Sequence, residues 1–269
     1  MTEKRIISLS PAITEIICAL GFEKQLVGVS IECAYIDAVQ GLPVFVTPEI
    51  DKDLVSDLKP DFIFGERSQL SALKTENSHL VDFDFANLDD VFKNISLIGE
   101  VLNVNESSQE LNENLREGLD IIIHNLKFSE IKPKTACITQ LSPLLVGENF
   151  LPKLIEIARG STLSLTNISA SVGLDWEAFK LEDPQIIIVM PEKYPIQRTL
   201  QEINLLLNLP GWSDLSAVKN NRFYIADGSK YGDTIGIQSF DVIEILAEII
   251  HPKQFVFGNE GKGWIKFNS

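Results

Sequence analysis

Ile7-Ser8-Leu9-Ser10-Pro11 and, half a chain later, Ile138-Thr139-Gln140-Leu141-Ser142-Pro143 are nearly the same stretch written twice. Each Leu-Ser-Pro follows a short β-rich run, Arg5-Ile6-Ile7 in one case and Thr135-Ala136-Cys137-Ile138 in the other. Each precedes an apolar helical stretch that stops at a glycine, Gly21 or Gly160. A second pair supports the first. Leu54-Val55-Ser56-Asp57-Leu58-Lys59-Pro60-Asp61-Phe62-Ile63-Phe64 resembles Phe179-Lys180-Leu181-Glu182-Asp183-Pro184-Gln185-Ile186-Ile187-Ile188-Val189. Two related α/β halves in tandem predict two lobes with a cleft between them.

The chain has 269 residues, enough for two lobes with cores of their own. It is 45% hydrophobic and 23% charged, a globular composition. The net charge of −15, without a Lys/Arg cluster, excludes a basic nucleic-acid face and argues against docking on anionic lipid. Cys18, Cys33 and Cys137 form no CxxC, and an odd count gives no disulfide framework. No basic n-region, apolar h-region or lipoprotein-type cysteine follows Met1, so as written the chain reads as soluble and cytoplasmic, or periplasmic if a leader has been removed. The apolar runs are too short to span a bilayer, and no membrane insertion is expected.

Strand–helix alternation predicts parallel sheets in both halves. The first lobe covers residues 1–103. Its expected elements are a strand at 5–9, a helix at 11–20 with Pro11 at its first position, a strand at 26–30 and a helix at 49–58 ending before Pro60. A strand at 62–65, a helix at 68–76, a strand at 80–85 and a helix at 88–102 complete it. Residues 104–130 hold a long helix that reads as a connector spanning both lobes, the alternative being one more crossover helix. Leu111, Leu115, Leu119, Ile122, Ile123 and Leu126 recur at helical spacing, and about twenty residues make a rod of roughly 30 Å. The second lobe, 131–252, repeats the plan: strands at 134–140, 163–166, 186–190 and 222–226, and helices at 151–158, 176–181, 196–207 and 239–250. Residues 253–269 form a tail without a clear pattern.

Ligands of open parallel sheets sit beyond the carboxyl ends of the strands. There Ser10 and Ser142 are expected near helix N-termini, with hydroxyls and free N–H groups to offer a polar ligand; each serine could equally cap its own helix. Other strand ends supply 30–35, 65–67, 190–194 and 228–231. Tyr35, Phe150, Trp176 and Tyr231 are aromatics near these loops, and Trp176 reads better as a core anchor. His79, His124 and His251 are scattered, with His124 on or beside the connector's apolar face. No metal-ligand spacing, nucleophile elbow or phosphate loop is present, so catalytic residues, metal and cofactor are all read as none.

Arg5–Ile16, Ala19-Leu20-Gly21, Val27-Gly28-Val29-Ser30 and Leu58–Ile63 resemble the start of the cobalamin-type, class III substrate-binding proteins of ABC importers. The later half is similar as well: Pro210-Gly211-Trp212, Leu215–Tyr224, Ala226-Asp227-Gly228 and Glu244–Pro252. The resemblance covers about residues 4–252. It implies two Rossmann-like α/β lobes joined by a single long helix, a monomer that holds cobalamin (vitamin B12) or a related large metal chelate for a membrane permease dimer. The residues it places on the ligand, together with the strand-end reading, are Ser10, Pro11, Cys33, Tyr35, Glu66, Arg67, Leu141, Ser142, Phe150 and Tyr231. An acidic residue on each lobe would dock on the permease: Glu66 in the first lobe, Glu192 or Glu202 in the second. Relatives of this type often carry Trp where this chain has Leu141 and Phe150, and a longer, Pro-containing loop at 229–236. Two other readings use the same scaffold: a cytosolic small-ligand sensor, and an enzyme of unknown chemistry.

Overall fold

The computed structural model describes residues 4–47, 49–71, 73, 78–147, 149–164, 173–229 and 235–268. It divides into two units, Met1–Glu117 with Thr234–Ile237, and Gly118–Asp233 with Gln238–Ser269. Among the described residues no helix is long and apolar enough to cross a membrane.

The first unit runs β1 (Ile6–Ser8), α1 (Pro11–Ala19), β2 (Leu26–Ser30), β3 (Val44–Phe45), α2 (Lys52–Leu58), β4 (Phe62–Glu66), α3 (Arg67–Leu70), β5 (His79–Phe83) and α4 (Leu88–Leu102), and leads into α5 (Asn105–Leu126). Its sheet has the order β3-β2-β1-β4-β5 with every pair parallel. A strand with neighbours on both edges and helices on both faces reads as a continuous apolar run. Ile6, Ile7 and Leu9 accordingly bury fully, as do Ile13, Ile16 and Ile17 of α1. The N-terminal part of α5 seats on α4 because Gly99 leaves room for Ser108, whose Oγ lies 2.1 Å from where a Cβ at 99 would stand. Asn112 Nδ2 donates to the Phe92 carbonyl at 3.1 Å, and the Arg116 guanidinium lies 4.0 Å over the Phe92 ring.

The second unit continues α5 and adds β6 (Thr135–Leu141), β7 (Leu144–Val146), α6 (Leu151–Ile157), α7 (Trp176–Glu182), β8 (Ile186–Val189), α8 (Ile196–Glu202), α9 (Asn204–Leu207), α10 (Ser216–Lys219), β9 (Phe223–Ala226), α11 (Gln238–Ile250) and β10 (Trp264–Lys266). The order is β10-β9-β8-β6-β7, with β6, β8 and β9 parallel and the two edge strands antiparallel. Both units are α/β, as the tandem stretches predict. The 54–64 and 179–189 match holds in detail. Asp51 and Asp175 cap α2 and α7 with the same backbone angles, φ −68 and ψ 106, each accepting two N–H bonds. Lys59 and Asp183 end those helices in the left-handed region at φ 45 and φ 42. The next strand is then tied back to the Arg5 carbonyl in one unit and the Lys134 carbonyl in the other.

Several expected elements differ. Ser142 is not near a helix N-terminus: Ser142-Pro143 is the exposed turn of the β6–β7 hairpin, and α6 begins only at Leu151. The strand expected at 163–166 does not form at 163–164, with 165 and 166 outside the described residues; an isolated bridge joins Lys134 to Ser161 just before it. The helix expected at 68–76 is described only as α3, and most of its remainder lies outside the described residues. At Ile203, a buried core residue, the single helix expected over 196–207 divides into α8 and α9. The patternless tail contains β10, whose short strand was hidden among glycines and charges. His124 and Ile123 are exposed rather than on the buried stripe of α5, where Ile122 and Leu126 are buried and Leu111, Leu115 and Leu119 half-buried.

Candidate functional site

In the first unit the carboxyl ends of β1 and β2 gather a polar knot. Thr14, one turn into α1, donates to Ser8 Oγ at 2.8 Å and lies 3.2 Å from Cys33 Sγ, which in turn lies 3.3 Å from Ser30 Oγ. Cys33 is fully buried, and burial pushes its thiol pKa above the ordinary value despite those hydroxyl contacts. The thiol is therefore a packed neutral group rather than a nucleophile. Ser10 sits at the N-cap of α1 and yet makes no cap bond; its Oγ is buried and meets no hydrogen-bond partner among the described residues. Pro11 is the first helical residue, as expected from its fixed φ.

Tyr35 lies in the short 3-10 turn Ile31–Tyr35 after β2, and its hydroxyl donates to Glu15 Oε1 of α1. Burial, then the Glu15 charge, push the phenol far above its usual range, so it stays a donor. Glu15 was missed in the sequence, although it is the one acid within the apolar run Pro11–Ala19. Glu66 begins the turn into α3, its N–H held by Gln69 Oε1 at 2.8 Å, while Gln69 Nε2 reaches the Leu9 carbonyl at 2.9 Å. Arg67 is exposed and grips Asp82 through Nε and Nη2 at 3.0 and 2.7 Å, which holds the Asp82 carboxyl below its ordinary value. Ser10, Pro11, Cys33, Tyr35, Glu66 and Arg67 thus all lie at strand ends of one sheet, with Cys33 facing inward.

In the second unit Leu141 is buried in the core with Val146 and Phe179, whereas Ser142 is exposed at the hairpin turn. Phe150 is half-buried at the N-cap of α6. Trp176 serves the core, stacked on Phe179 with centroids 5.2 Å apart and donating to the Pro210 carbonyl at 2.9 Å. Tyr231 lies outside the described residues.

The loops after β8 and β9 are zipped together. Lys193 N–H donates to the Gly228 carbonyl at 2.8 Å and Gly228 N–H to the Tyr194 carbonyl at 2.9 Å. A Cβ at 228 would stand 1.9 Å from the Pro191 oxygen, so only glycine permits this approach. Asp227 folds its carboxylate onto the Ser229 N–H at 2.8 Å. Arg198 covers the Tyr194 ring at 3.5 Å and pairs with Glu202 at 3.4 Å. Glu192 is half-buried in the same loop, its N–H on the Thr139 carbonyl at 3.1 Å. What these surfaces offer is hydroxyls, amides, two tyrosine-type walls and carboxylates held by internal partners. Among the described residues no group of three or more His, Cys, Asp and Glu side chains is placed to hold a metal ion.

Comparison with known proteins gives the architecture its relatives. An uncharacterized ABC transporter substrate-binding lipoprotein, YvrC of Bacillus subtilis (strain 168), is 24% identical over 265 residues, covering 94% of this chain and 81% of that protein. A periplasmic solute binding protein from Veillonella parvula DSM 2008 superposes with a TM-score of 0.77 at 19% identity, covering 96% of this chain and 84% of that one. A periplasmic heme binding protein from Pseudomonas aeruginosa gives 0.72 at 20% identity, with 93% of each chain covered. The family model described as periplasmic binding protein matches residues 6–229, most of the length. This chain belongs to the periplasmic binding protein family.

Proposed function

We propose that the chain is the substrate-binding component of an ABC importer and that it carries cobalamin or a related large, flat metal chelate to a permease, without catalysis. The observation that carries the reading is the family match over residues 6–229, joined to a relative named as an ABC transporter substrate-binding lipoprotein. The ligand class draws on the sequence resemblance and on the named heme-binding neighbour. The strand-end loops support it in kind. Aromatic walls with a few oriented polar groups suit a broad planar ligand better than a small ion. Ser10, Pro11, Tyr35, Glu66, Phe150 and the 227–231 loop are its contacts in this reading; Cys33 and Leu141 support from behind. Glu66 in the first unit and Glu192 or Glu202 in the second are the permease-facing acids of this reading.

The test is titration of the purified protein with cyanocobalamin and, separately, haemin, followed by the ligand's absorption band and by thermal melting. Saturable binding at micromolar affinity or better, with a rise in melting temperature, is expected for one of them. No band shift and no change in melting for either would refute the metal-chelate assignment. Variants at Tyr35 and Phe150 should weaken the binding tenfold or more.

A further inference from the structure

Glu248 is a carboxylate in the last turn of α11, only 3% exposed. Charged side chains are seldom buried so completely unless their oxygens are met by donors. Here four donors meet it, and all come from the C-terminal segment. Oε1 accepts the Phe257 N–H, the Gly258 N–H at 2.8 Å and the Asn259 N–H at 3.4 Å; Oε2 accepts the Trp264 indole N–H at 2.8 Å. The consequence travels along the chain. Trp264 opens β10, which pairs with β9, and Tyr224 and Trp264 meet edge to face at 5.6 Å. The residue before it, Gly263, accepts the Asp227 N–H at 2.8 Å. Asp227 then fixes Ser229 through its carboxylate, and Gly228 locks to Lys193 and Tyr194.

We infer that Glu248 is a positioning residue for the ligand loops of the second unit: it clamps the C-terminal segment, and that segment sets the conformation of 227–229 and, through Gly228, of 193–194. The inference rests on the reading that these loops face the ligand. It assigns the segment after residue 252 a purpose beyond closing the sheet edge. An amide at position 248 keeps the shape but turns one oxygen into a donor group, which cannot accept the Trp264 indole N–H together with the three backbone amides.

The test is amide hydrogen exchange of the ligand-free, full-length chain, in wild type, Glu248→Gln and Trp264→Phe. Reporter amides are Asp227, Gly228, Ser229 and Lys193; Ile187, bonded to the Arg222 carbonyl, and Met190, bonded to the Ile138 carbonyl, serve as controls. Exchange at the four reporters is expected to rise tenfold or more in E248Q with the controls changed less than threefold. W264F, which removes one donor and keeps an aromatic ring beside Tyr224, should show the same pattern more weakly, and it carries the test if E248Q fails to fold. Unchanged reporters beside faster exchange at 257–259 would overturn the inference. So would an equal rise at reporters and controls in both variants, since Glu248 would then stabilise the unit as a whole. The ligand reading fails separately: it does so if cyanocobalamin and haemin leave the four reporters of the wild type unaltered.

Discussion

Replacing Gly228 by alanine adds one methyl group where two backbone segments meet. Its carbon would stand 1.9 Å from the Pro191 oxygen, 2.7 Å from the Pro191 carbonyl carbon and 3.2 Å from the Met190 carbonyl carbon. These are backbone atoms, so no side chain can swing aside. Restoring ordinary contact near 3.5 Å separates the two loops by about 1.5 Å. The bonds from Lys193 to Gly228 and from Gly228 to Tyr194, now 2.8 and 2.9 Å, cannot survive such a shift. Two lost bonds cost about 1 kcal/mol each, and overpacking strain adds about 1–3 kcal/mol. The sum, about 3–5 kcal/mol, is a large part of a typical domain's stability. At about 2–4 °C per kcal/mol for a domain of this size, the second unit should melt roughly 6–20 °C below wild type. The control is Gly41→Ala. Gly41 has φ +83 and nothing within 4 Å of its would-be Cβ, so it incurs only the left-handed penalty of about 1–2 kcal/mol. Calorimetric melts of the three proteins decide the matter. A G228A melting temperature within 3 °C of wild type, or above that of G41A, would refute the close-approach argument.

Two further outcomes follow from the same geometry. Burial holds the His251 pKa below its ordinary 6.5, ahead of a smaller opposite effect from the Ala158 and Arg159 backbone. The folded pKa lies below the unfolded one, so stability is level above about pH 6.5 and falls as pH drops from there toward the folded value, by at most about 1.4 kcal/mol per pH unit. His251→Gln should flatten that part of the stability–pH curve measured by urea unfolding, and an unchanged slope would contradict it. Asp51→Ala and Asp175→Ala each remove two cap bonds of matched geometry, so each should cost about 1 kcal/mol in the same assay; an effect below about 0.3 kcal/mol at either site would show that the caps are not equivalent.

The parts of the fold legible in the sequence were those fixed by local chemistry. Pro11 with an apolar 3.6-residue period gives α1, and Lys-Pro or Asp-Pro after an amphipathic turn marks the end of α2 or α7. Long-range contacts decided the rest. Nothing near Trp264 announces that its indole will meet a carboxylate sixteen residues earlier, and β10 exists only because β9 offers it an edge. The helix expected at 196–207 has an unbroken period, and the division at Ile203 is not announced by it. Among the candidate ligand residues, chain position located the loops, since strand ends cluster by topology. Which way each side chain turns is set by partners distant in sequence: Glu15 for Tyr35, Asp82 for Arg67, the core around Phe179 for Leu141.

The doubled Leu-Ser-Pro is the instructive divergence. After Pro11 come Ala12, Ile13, Thr14, Glu15, Ile16 and Ile17, long enough to close helical turns and bury one face. After Pro143 only Leu144, Leu145 and Val146 precede Gly147, too few for a helix and apt for a strand. Gly147 seals that choice: its N–H reaches the Cys137 carbonyl at 2.7 Å, and a Cβ there would collide with Leu151 Cδ2 at 2.2 Å. The hairpin strand β7 then occupies beside β6 the place that parallel β2 occupies beside β1. The same three residues therefore end in different electrostatics. Ser10 stands at the positive end of a nine-residue helix, with its hydroxyl unspent among the described residues. Ser142 stands on an exposed turn that has no helix dipole behind it.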